Sequence, residues 1–323
     1  MNITLITPAG HLAKNGNRTT ALRWAKILTT LNHQVQVETA WDGKPADLMV
    51  AIHAWRSAKS AKLFRKEFPD SPLIILLSGT DIYKFQYTHP KETLYSMEIA
   101  DALVCLHDKV CHSIPSQYRH KLHIIHQSAL PLAGERRPSK RNFDICVVGN
   151  LREEKDPLRV AYALRNLNNT SRLRVIHLGK AHTPDWAVKA KTEMARNSRY
   201  RWRGEVKAWE VRREFAKTRL MVLSSIMEGG ANVISEAIAA GVPVIASKIE
   251  GSVGLLGSDY AGYYEAGSTE DLRRTLLRVE NEPEFLAHLS LQCEARRHLF
   301  TIEKEKEEWS SLLSSISLKD RFL

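Results

Sequence analysis

The sequence has no long run of apolar residues. A transmembrane helix needs about 20 consecutive, mostly apolar residues, and no segment of the 323-residue chain reaches such a length. The first ten residues, MNITLITPAG, enter a predicted strand directly and lack the basic start and extended apolar core of a signal peptide. We therefore expect a cytoplasmic protein that does not associate with a membrane.

Cysteine is scarce, and its spacing excludes a cysteine framework. The four cysteines are Cys105, Cys111, Cys146 and Cys293. Neither a disulfide scaffold nor a zinc motif has such wide spacing. His120, His123 and His126 recur at every third position, and because alternate residues share a strand face, these three side chains cannot converge on one ion. We expect reduced cysteines, no metal site and no cofactor.

Short repeats, low-complexity tracts and nucleic-acid-binding motifs are absent too, although the charge is strongly positive. Lys and Arg number 47 against 36 Asp and Glu, which gives a formal net charge of +11 at pH 7. These basic residues are scattered rather than gathered in a nucleic-acid-binding signature. Two explanations stay open, namely solvated helix faces and attraction of small anionic substrates. Nucleic acid is not an expected partner.

What the sequence does have is alternation of short apolar runs with amphipathic stretches. The predicted strands are Ile3–Ile6, Gln34–Val37, Leu48–Ile52, Leu73–Leu77, Ala102–Leu106, His123–Ile125, Asp144–Val148, Leu173–Leu178, Tyr200–Trp202, Leu220–Leu223, Val242–Ala246 and Gly262–Tyr264. The predicted helices are Thr19–Leu31, Ser57–Glu67, Lys91–Ile99, Pro157–Leu167, Trp186–Asn197, Trp209–Lys217, Val233–Ala240, Thr269–Val279, Pro283–His298 and Ile302–Ser314. Such alternation predicts βαβ units with parallel sheets.

A stretch without periodicity separates two halves of this pattern. Residues 131–142, PLAGERRPSKRN, contain prolines, a glycine and a charge run, as is typical of a linker. We predict an α/β fold with two Rossmann-like, doubly wound domains, the first over residues 1–130 and the second over residues 143–301. Ligands of such folds bind beyond the carboxyl ends of the strands, so a cleft between the domains is the expected site.

The segment from Glu228 to Glu236, EGGANVISE, combines two carboxylates, two glycines and the start of an apolar helix. The glycines let a ligand approach the backbone, and a helix N-terminus attracts phosphate. The carboxylates can accept hydrogen bonds from sugar hydroxyls, and Gly241 is expected to end the helix. We predict a nucleotide-sugar site rather than an ordinary βα turn. Its residues here are Glu228, Gly229, Gly230, Ala231, Asn232 and Glu236.

This segment resembles the donor-site motif of retaining-type glycosyltransferases with the GT-B fold. The resemblance implies that Glu236 holds the ribose of a nucleotide and that Glu228 lies beside the transferred sugar. It also implies that the last helix, within residues 302–323, crosses back to the first domain. Trp309, Leu312 and Leu313 would form the inward face of that helix.

The segment GNLREEKDPLR, residues 149–159, resembles the phosphate clamp of the same family. Lys155 matches the lysine that neutralises the diphosphate, while Asn150 stands where an arginine is usual. Arg152 is the nearest substitute for that arginine. A cation here would stabilise the charge that grows on the departing nucleoside diphosphate. The alternative for Lys155 is a surface lysine in a loop.

The resemblance extends to residues of the first half. Gly16, in a polar loop before the first helix, would face the donor phosphates. Val206, in the second half of the chain, is also a predicted donor-binding residue. Ser78 stands where the family usually has a histidine before Gly-x-Asp, and His53 is the nearest alternative histidine unless its role is structural. The predicted acceptor-binding residues are Asn17, Arg18, His53, Ser78 and Asp81. The predicted catalytic residues are Glu228, Lys155, Arg152 and His53.

Several stretches also resemble one subgroup of this family, the selenosugar synthases of selenoneine biosynthesis. They include GNRTTALRWAKIL, LLSGTDIY and VGNLREEKDPLR. The resemblance implies transfer of N-acetylglucosamine or glucose from a UDP-sugar to the selenium of selenophosphate, giving a 1-selenosugar for a pathway partner enzyme. An anionic selenium needs no general base, which agrees with Ser78 in place of the histidine. A conventional hydroxyl or thiol acceptor stays open as the alternative. A non-enzymatic nucleotide-sugar sensor would predict loss of Glu228 or Lys155, and both are present.

Overall fold

The chain folds into two compact units, each of which has its own sheet. The computed structural model describes residues 1–11 and 16–319, with side chains to residue 316. The first unit comprises Met1–Ser128 and the chain from Ile302 onward, and the second comprises Ala129–Thr301. Each unit has a six-stranded sheet in which all paired strands run parallel.

The first unit is built from βα repeats around a sheet of order β2-β1-β3-β4-β5-β6. Its strands are β1 (Asn2–Ile6), β2 (Gln34–Glu38), β3 (Leu48–Ile52), β4 (Leu73–Leu76), β5 (Ala102–Cys105) and β6 (Leu122–Ile124). Its α-helices are α1 (Gly16–Thr30), α2 (Ala58–Glu67), α3 (Gln86–Thr88), α4 (Pro90–Ile99) and α12 (Ile302–Lys319). Because β2 and β3 leave β1 on opposite sides, the direction of winding reverses between β1 and β3.

Apolar side chains explain why the central strands of the first unit form. Every residue of β3, β4 and β5 is buried, as expected for a parallel sheet covered on both faces. Helix α12 belongs to this unit, and its Trp309 packs edge-on against Trp24 with ring centroids 4.9 Å apart. Leu312 and Leu313 are buried beside it, so the predicted inward face of the helix is confirmed.

The second unit has the sheet order β12-β11-β10-β7-β8-β9. Its strands are β7 (Phe143–Val148), β8 (Leu173–Leu178), β9 (Tyr200–Trp202), β10 (Leu220–Leu223), β11 (Val244–Ser247) and β12 (Tyr263–Tyr264). Its α-helices are α5 (Arg159–Ala163), α6 (Pro184–Arg196), α7 (Ala208–Phe215), α8 (Asn232–Ala239), α9 (Glu250–Leu256), α10 (Thr269–Asn281) and α11 (Pro283–Arg296). Here the winding reverses between β7 and β10.

The predicted strands are all present, with bounds that shift by two residues at most. The predicted end of α8 at Gly241 is also confirmed, because Gly241 has φ +68° and the N–H groups of Gly241 and Val242 donate to the carbonyls of Ile238 and Ala237. This is the Schellman arrangement that glycine permits. Among the described residues, no helix combines the length and apolar character needed to cross a bilayer.

Several helical segments depart from the prediction, and neither α3 nor α9 is among the predicted helices. The helix expected over Pro157–Leu167 shortens to α5, since Leu164 and Arg165 continue it only as a turn with i→i+3 hydrogen bonds. A π-helical turn, Asp81–Phe85, follows β4 and was not expected. The predicted linker 131–142 contains no helix or strand and lies in the second unit, where the Arg137 N–H donates to the Ala216 carbonyl at 2.7 Å.

Candidate functional site

The loops after β7 and β10 meet where the winding of the second unit reverses, and they bring two predicted site residues together. Lys155 Nζ forms an ion pair with Glu228 Oε1, and Ser225 Oγ donates to the same oxygen at 2.5 Å. The two charged side chains are 21% and 10% exposed, respectively. Glu228 Oε2 makes no hydrogen bond to the described residues, so one carboxylate oxygen is left for a ligand.

Hydrogen bonds to backbone carbonyl groups hold these two loops together. Ser224 Oγ donates to the carbonyls of Lys155 and Asp156 at 3.1 and 2.9 Å. The Ile226 N–H donates to the Glu154 carbonyl at 2.9 Å. The positions of Lys155 and Glu228 are therefore set by the end of β10 rather than by the ion pair alone, and the pair can open for a ligand without releasing the loops.

Helix α9 supports the Glu228 loop from behind. Gly251 lies so close to the Glu228 carbonyl that a Cβ atom at this position would overlap the Glu228 backbone. Ser247, at the end of β11, donates its hydroxyl hydrogen to the Ser225 carbonyl. The loop is thus packed between α9 and the neighbouring strand, which fixes the direction of its carboxylate.

Helix α8 follows the loop and has an N-terminus suited to an anion. Its cap residue, Ala231, offers no side-chain oxygen, and no acidic residue lies in its first turn. The positive end of the helix dipole is therefore not neutralised by an acid of its own first turn. Gly230 before the helix has φ +129°, a conformation that glycine adopts readily. Glu236 lies on this helix and is half-buried.

The turn after β7 places its polar side chains in different roles. Asn150 Oδ1 accepts the Lys180 backbone N–H at 3.0 Å, so this side chain braces the turn. The Arg152 side chain is 37% exposed, and its Nε lies 3.9 Å from Glu154 Oε2. Asn150 is neutral, whereas Arg152 carries a charge that is accessible to a diphosphate.

Glycines end three neighbouring strands at this edge of the sheet. Gly149, Gly179 and Gly204 follow β7, β8 and β9, respectively. A Cβ atom at Gly149 or Gly204 would meet nothing within 4 Å, so there is open space on that side of each residue. Val206, a predicted donor-binding residue, follows Gly204 in the same loop and is half-buried.

In the first unit, His53 follows β3 where the winding reverses. It has φ +78°, which is uncommon for a residue other than glycine. Its Nδ1 accepts the Arg56 backbone N–H at 3.3 Å, so its Nε2 carries the hydrogen that faces Thr80 Oγ1 at 2.9 Å. Burial lowers the pKa of His53, which is only 2% exposed, and the nearby Asp81 charge opposes that shift. The imidazole is therefore neutral.

Asp81, predicted to bind the acceptor, is fully buried after β4. Its carboxylate accepts the backbone N–H groups of Ala54, Ser78, Gly79 and Ile82 at 2.7 to 3.1 Å. These contacts fasten the loops after β3 and β4 to each other. The half-buried Ser78 is held in place by one of them.

The remaining predicted residues lie at the start of α1. Gly16 is the first residue of that helix, rather than part of a loop before it, because the helix begins three residues earlier than its predicted start at Thr19. Asn17 and Arg18 follow in the first turn and are half-buried. Residues 12–15 of the predicted glycine loop lie outside the described residues. Both α1 and His53 follow strands that border the reversal of winding.

Some residues that shape the site had no interpretable signal in the sequence. Ser225 lies three residues before Glu228, and a serine in a loop does not by itself indicate a binding site. His177 is buried in β8, where its side chain contacts the Gly149 carbonyl. Gly251 lies 23 positions beyond Glu228 in the sequence, so their contact depends on the sheet order. Within the described residues, no three His, Cys, Asp or Glu side chains gather as metal ligands.

Solved structures share the fold over the whole chain. HepE from Anabaena, in complex with UDP and glucose, is 15% identical, with a TM-score of 0.77 over 98% of this chain and 100% of that chain. Sucrose-phosphate synthase from Thermosynechococcus elongatus is 15% identical, with a TM-score of 0.78 over 99% and 100%. A glycosyltransferase from Rickettsia africae is 14% identical, with a TM-score of 0.72 over 98% of each. The predicted GT-B fold is thereby confirmed.

Sequence comparison gives the family. No curated protein matches the chain at a significant level. The family model described as "Glycosyl transferases group 1" matches residues 134–296, which is just over half of the chain and contains Lys155, Glu228 and Glu236. With the fold and the extent of this match in agreement, the chain belongs to the group 1 glycosyl transferases.

Proposed function

We propose that this glycosyltransferase moves a sugar from a UDP-sugar to the selenium of selenophosphate. The observation that carries the donor half of the proposal is the Lys155–Glu228 ion pair at the reversal of winding in the second unit. Ligands of doubly wound folds bind at such points. The pair offers a cation for a diphosphate and, on Glu228 Oε2, an acceptor for sugar hydroxyls.

The donor site uses the open edge of the second unit. The UDP and glucose bound by HepE support a UDP-sugar as donor, and N-acetylglucosamine and glucose are the proposed sugars. The diphosphate lies at the start of α8, against Gly229, Gly230 and Asn232. Glu236 accepts hydrogen bonds from the ribose hydroxyls, and Gly16 and Val206 are also proposed to contact the donor.

The chemical step exchanges one bond at the anomeric carbon of the sugar. The selenium lone pair forms the C–Se bond while the bond from carbon to the diphosphate oxygen breaks and UDP departs with the bonding electrons. Lys155, Arg152 and the N-terminus of α8 stabilise the negative charge that grows on the diphosphate. Hydrolysis of the Se–P bond by water then yields phosphate and the 1-selenosugar.

The acceptor site is proposed on the first unit, at the loops after β1, β3 and β4. Arg18, Asn17 and Ser78 would hold the phosphate group of selenophosphate, with the His53 loop beside them. His53 is buried and both of its ring nitrogens already have hydrogen-bond partners, so it is poorly placed to act as a base, and an anionic selenium does not need one. Asp81, whose oxygens are bonded to backbone N–H groups, would position these loops rather than touch the acceptor.

One observation favours a second candidate function, transfer to a sugar hydroxyl or a thiol. Trp55 and Phe85 stack with ring centroids 4.0 Å apart, and His89 lies 4.5 Å from the Trp55 ring. This aromatic cluster lies beside His53, whose ring is 5.7 Å from Phe85. Half-exposed aromatic side chains suit the apolar face of a ring-bearing acceptor.

The test is incubation of the protein with selenophosphate and either UDP-N-acetylglucosamine or UDP-glucose, followed by mass spectrometry. We expect a 1-selenosugar, recognised by the selenium isotope pattern, together with released UDP. Glu228→Gln keeps the size of the side chain but removes its charge, and it should lower product formation. Absence of any selenium-containing sugar while a thiol or sugar hydroxyl is glycosylated would overturn the acceptor assignment and leave the donor assignment intact.

A further inference from the structure

A buried pair of polar side chains on β8 and β9 lies beneath the turn that leads to Arg152 and Lys155. His177, only 1% exposed, has its Nε2 atom 3.0 Å from the Gly149 carbonyl oxygen and its Nδ1 atom 3.0 Å from the Tyr200 hydroxyl. Because the carbonyl can only accept, Nε2 carries the hydrogen, and Nδ1 accepts from Tyr200. The tautomer is therefore set by both partners.

The imidazole is neutral at physiological pH. Complete burial lowers the pKa of His177 to about 4, although its hydrogen bond to the Gly149 carbonyl favours the protonated form. A neutral ring donates one hydrogen bond and accepts one, and this site supplies one partner of each kind. His177 therefore acts as a fixed connector between β9 and the turn after β7.

Other contacts hold the same turn from the same side. The Gly149 N–H donates to the Leu178 carbonyl and the Leu151 N–H to the Lys180 carbonyl, each at 2.9 Å. Gly179 lies against the Gly149 carbonyl so closely that a Cβ atom would overlap it. Trp202 Nε1 in turn donates to the Gly179 carbonyl at 2.8 Å. The turn after β7 is thus packed and hydrogen-bonded against β8 and its following residues, and it cannot move closer to them.

We propose that His177 is a positioning residue for sugar transfer, which fixes the turn Gly149–Leu151 and through it the cations Arg152 and Lys155. This inference rests on the proposed role of the turn in holding the donor diphosphate. Charge stabilisation of a leaving group depends on donors placed in advance, so a displaced turn lowers turnover more than it lowers donor affinity. His177 itself touches no substrate.

The test compares two substitutions at one position. His177→Leu removes the hydrogen bonds to Gly149 and Tyr200 and places an apolar side chain in the core. His177→Gln can restore a donor near the Nε2 position. Val175→Ala, at a buried position of the same strand, is a matched control for loss of packing. Two properties are measured in each variant: UDP release from UDP-N-acetylglucosamine, with kcat and donor KM separated, and amide hydrogen exchange of residues 149–155.

For His177→Leu we expect kcat to fall about tenfold or more, with donor KM changed less than about twofold, and faster exchange confined to residues 149–155. His177→Gln should recover most of the turnover, and Val175→Ala should lower only the thermal midpoint. If His177→Leu leaves exchange at residues 149–155 unchanged, or if Val175→Ala reproduces its kinetics, the inference is wrong. Because hydrogen exchange needs no acceptor, failure of selenium transfer in the wild-type protein is a separate result.

Discussion

At the scale of single residues, the proposed donor site rests on Lys155 and Glu228, which form an ion pair with each other in the structure. The shared oxygen, Glu228 Oε1, accepts from both Lys155 and Ser225, so these contacts aim the carboxylate and leave Oε2 for a sugar. Binding of a diphosphate would give Lys155 a second anionic partner. The charge of that partner would increase as the sugar departs, so we expect Lys155 to contribute most in the transition state.

Removal of the lysine should therefore affect turnover more than binding. Lys155→Ala is expected to lower kcat by roughly 100-fold, the usual effect of losing one transition-state charge partner, with a smaller change in donor KM. Arg152→Ala should act in the same direction. Steady-state kinetics with the UDP-sugar measure both, and Lys191→Ala, an exposed lysine on α6, is the control. Unchanged kinetics of Arg152→Ala would show that the diphosphate has another cationic partner.

Glu236 should instead contribute to binding. Loss of a bidentate, charge-assisted hydrogen bond to the ribose is expected to weaken UDP affinity by roughly 1.5–3 kcal/mol in Glu236→Ala. Isothermal titration calorimetry with UDP measures this, and Glu284→Ala, an exposed glutamate on α11, should bind as the wild-type protein does. Equal affinities of Glu236→Ala and the wild-type protein would contradict the ribose assignment.

At the scale of elements, α9 packs closely against the Glu228 loop and restricts its position. Gly251→Ala places a Cβ atom on the Glu228 backbone, so either the loop or the helix must move. We expect a fall in kcat of about tenfold or more, since small misplacements at a reacting centre are costly, and a lower thermal midpoint. Gly134→Ala, with open space around its Cβ position, is the control. Wild-type kcat in a folded Gly251→Ala protein would show that the loop tolerates displacement.

Local sequence patterns predict the elements well because short-range periodicity determines them. The βα alternation, the glycine pair before α8 and the stop at Gly241 all depend on neighbouring residues. The contact between Gly251 and Glu228 and the bond from His177 to Gly149 could not be predicted, because strand order brings these residues together. The left-handed conformation of His53 and the π-helical turn after β4 likewise depend on the four N–H groups that surround Asp81.

At the scale of the whole molecule, the GT-B fold contains two sheets with different strand orders. In each sheet, loops follow the strands at which the direction of winding reverses. The family match covers residues 134–296, and the second unit comprises Ala129–Thr301, so the two coincide almost completely. The first unit lies outside that match, and its loops are the proposed place of the acceptor. Family membership therefore supports the donor chemistry, whereas the acceptor must be identified by experiment.

The proposed charge stabilisation uses cations and a helix end, so transfer should not need a divalent metal. We expect turnover to persist after treatment with a chelator, because Lys155, Arg152 and α8 supply the positive charge. The measurement is UDP release before and after treatment with EDTA, with added magnesium and manganese as controls. Loss of activity that either ion restores in a titratable way would contradict this expectation.

The most direct test of selenium transfer is a competition among acceptors in one reaction. The protein receives a UDP-sugar together with equal concentrations of selenophosphate, a simple thiol and a sugar with free hydroxyls, and the products are quantified by mass spectrometry. A hydroxyl has a pKa far above neutrality and needs a base, whereas the anionic selenium does not. We predict that the 1-selenosugar is the main product. A main product glycosylated on oxygen or sulfur, with no selenium-containing sugar, would contradict the account.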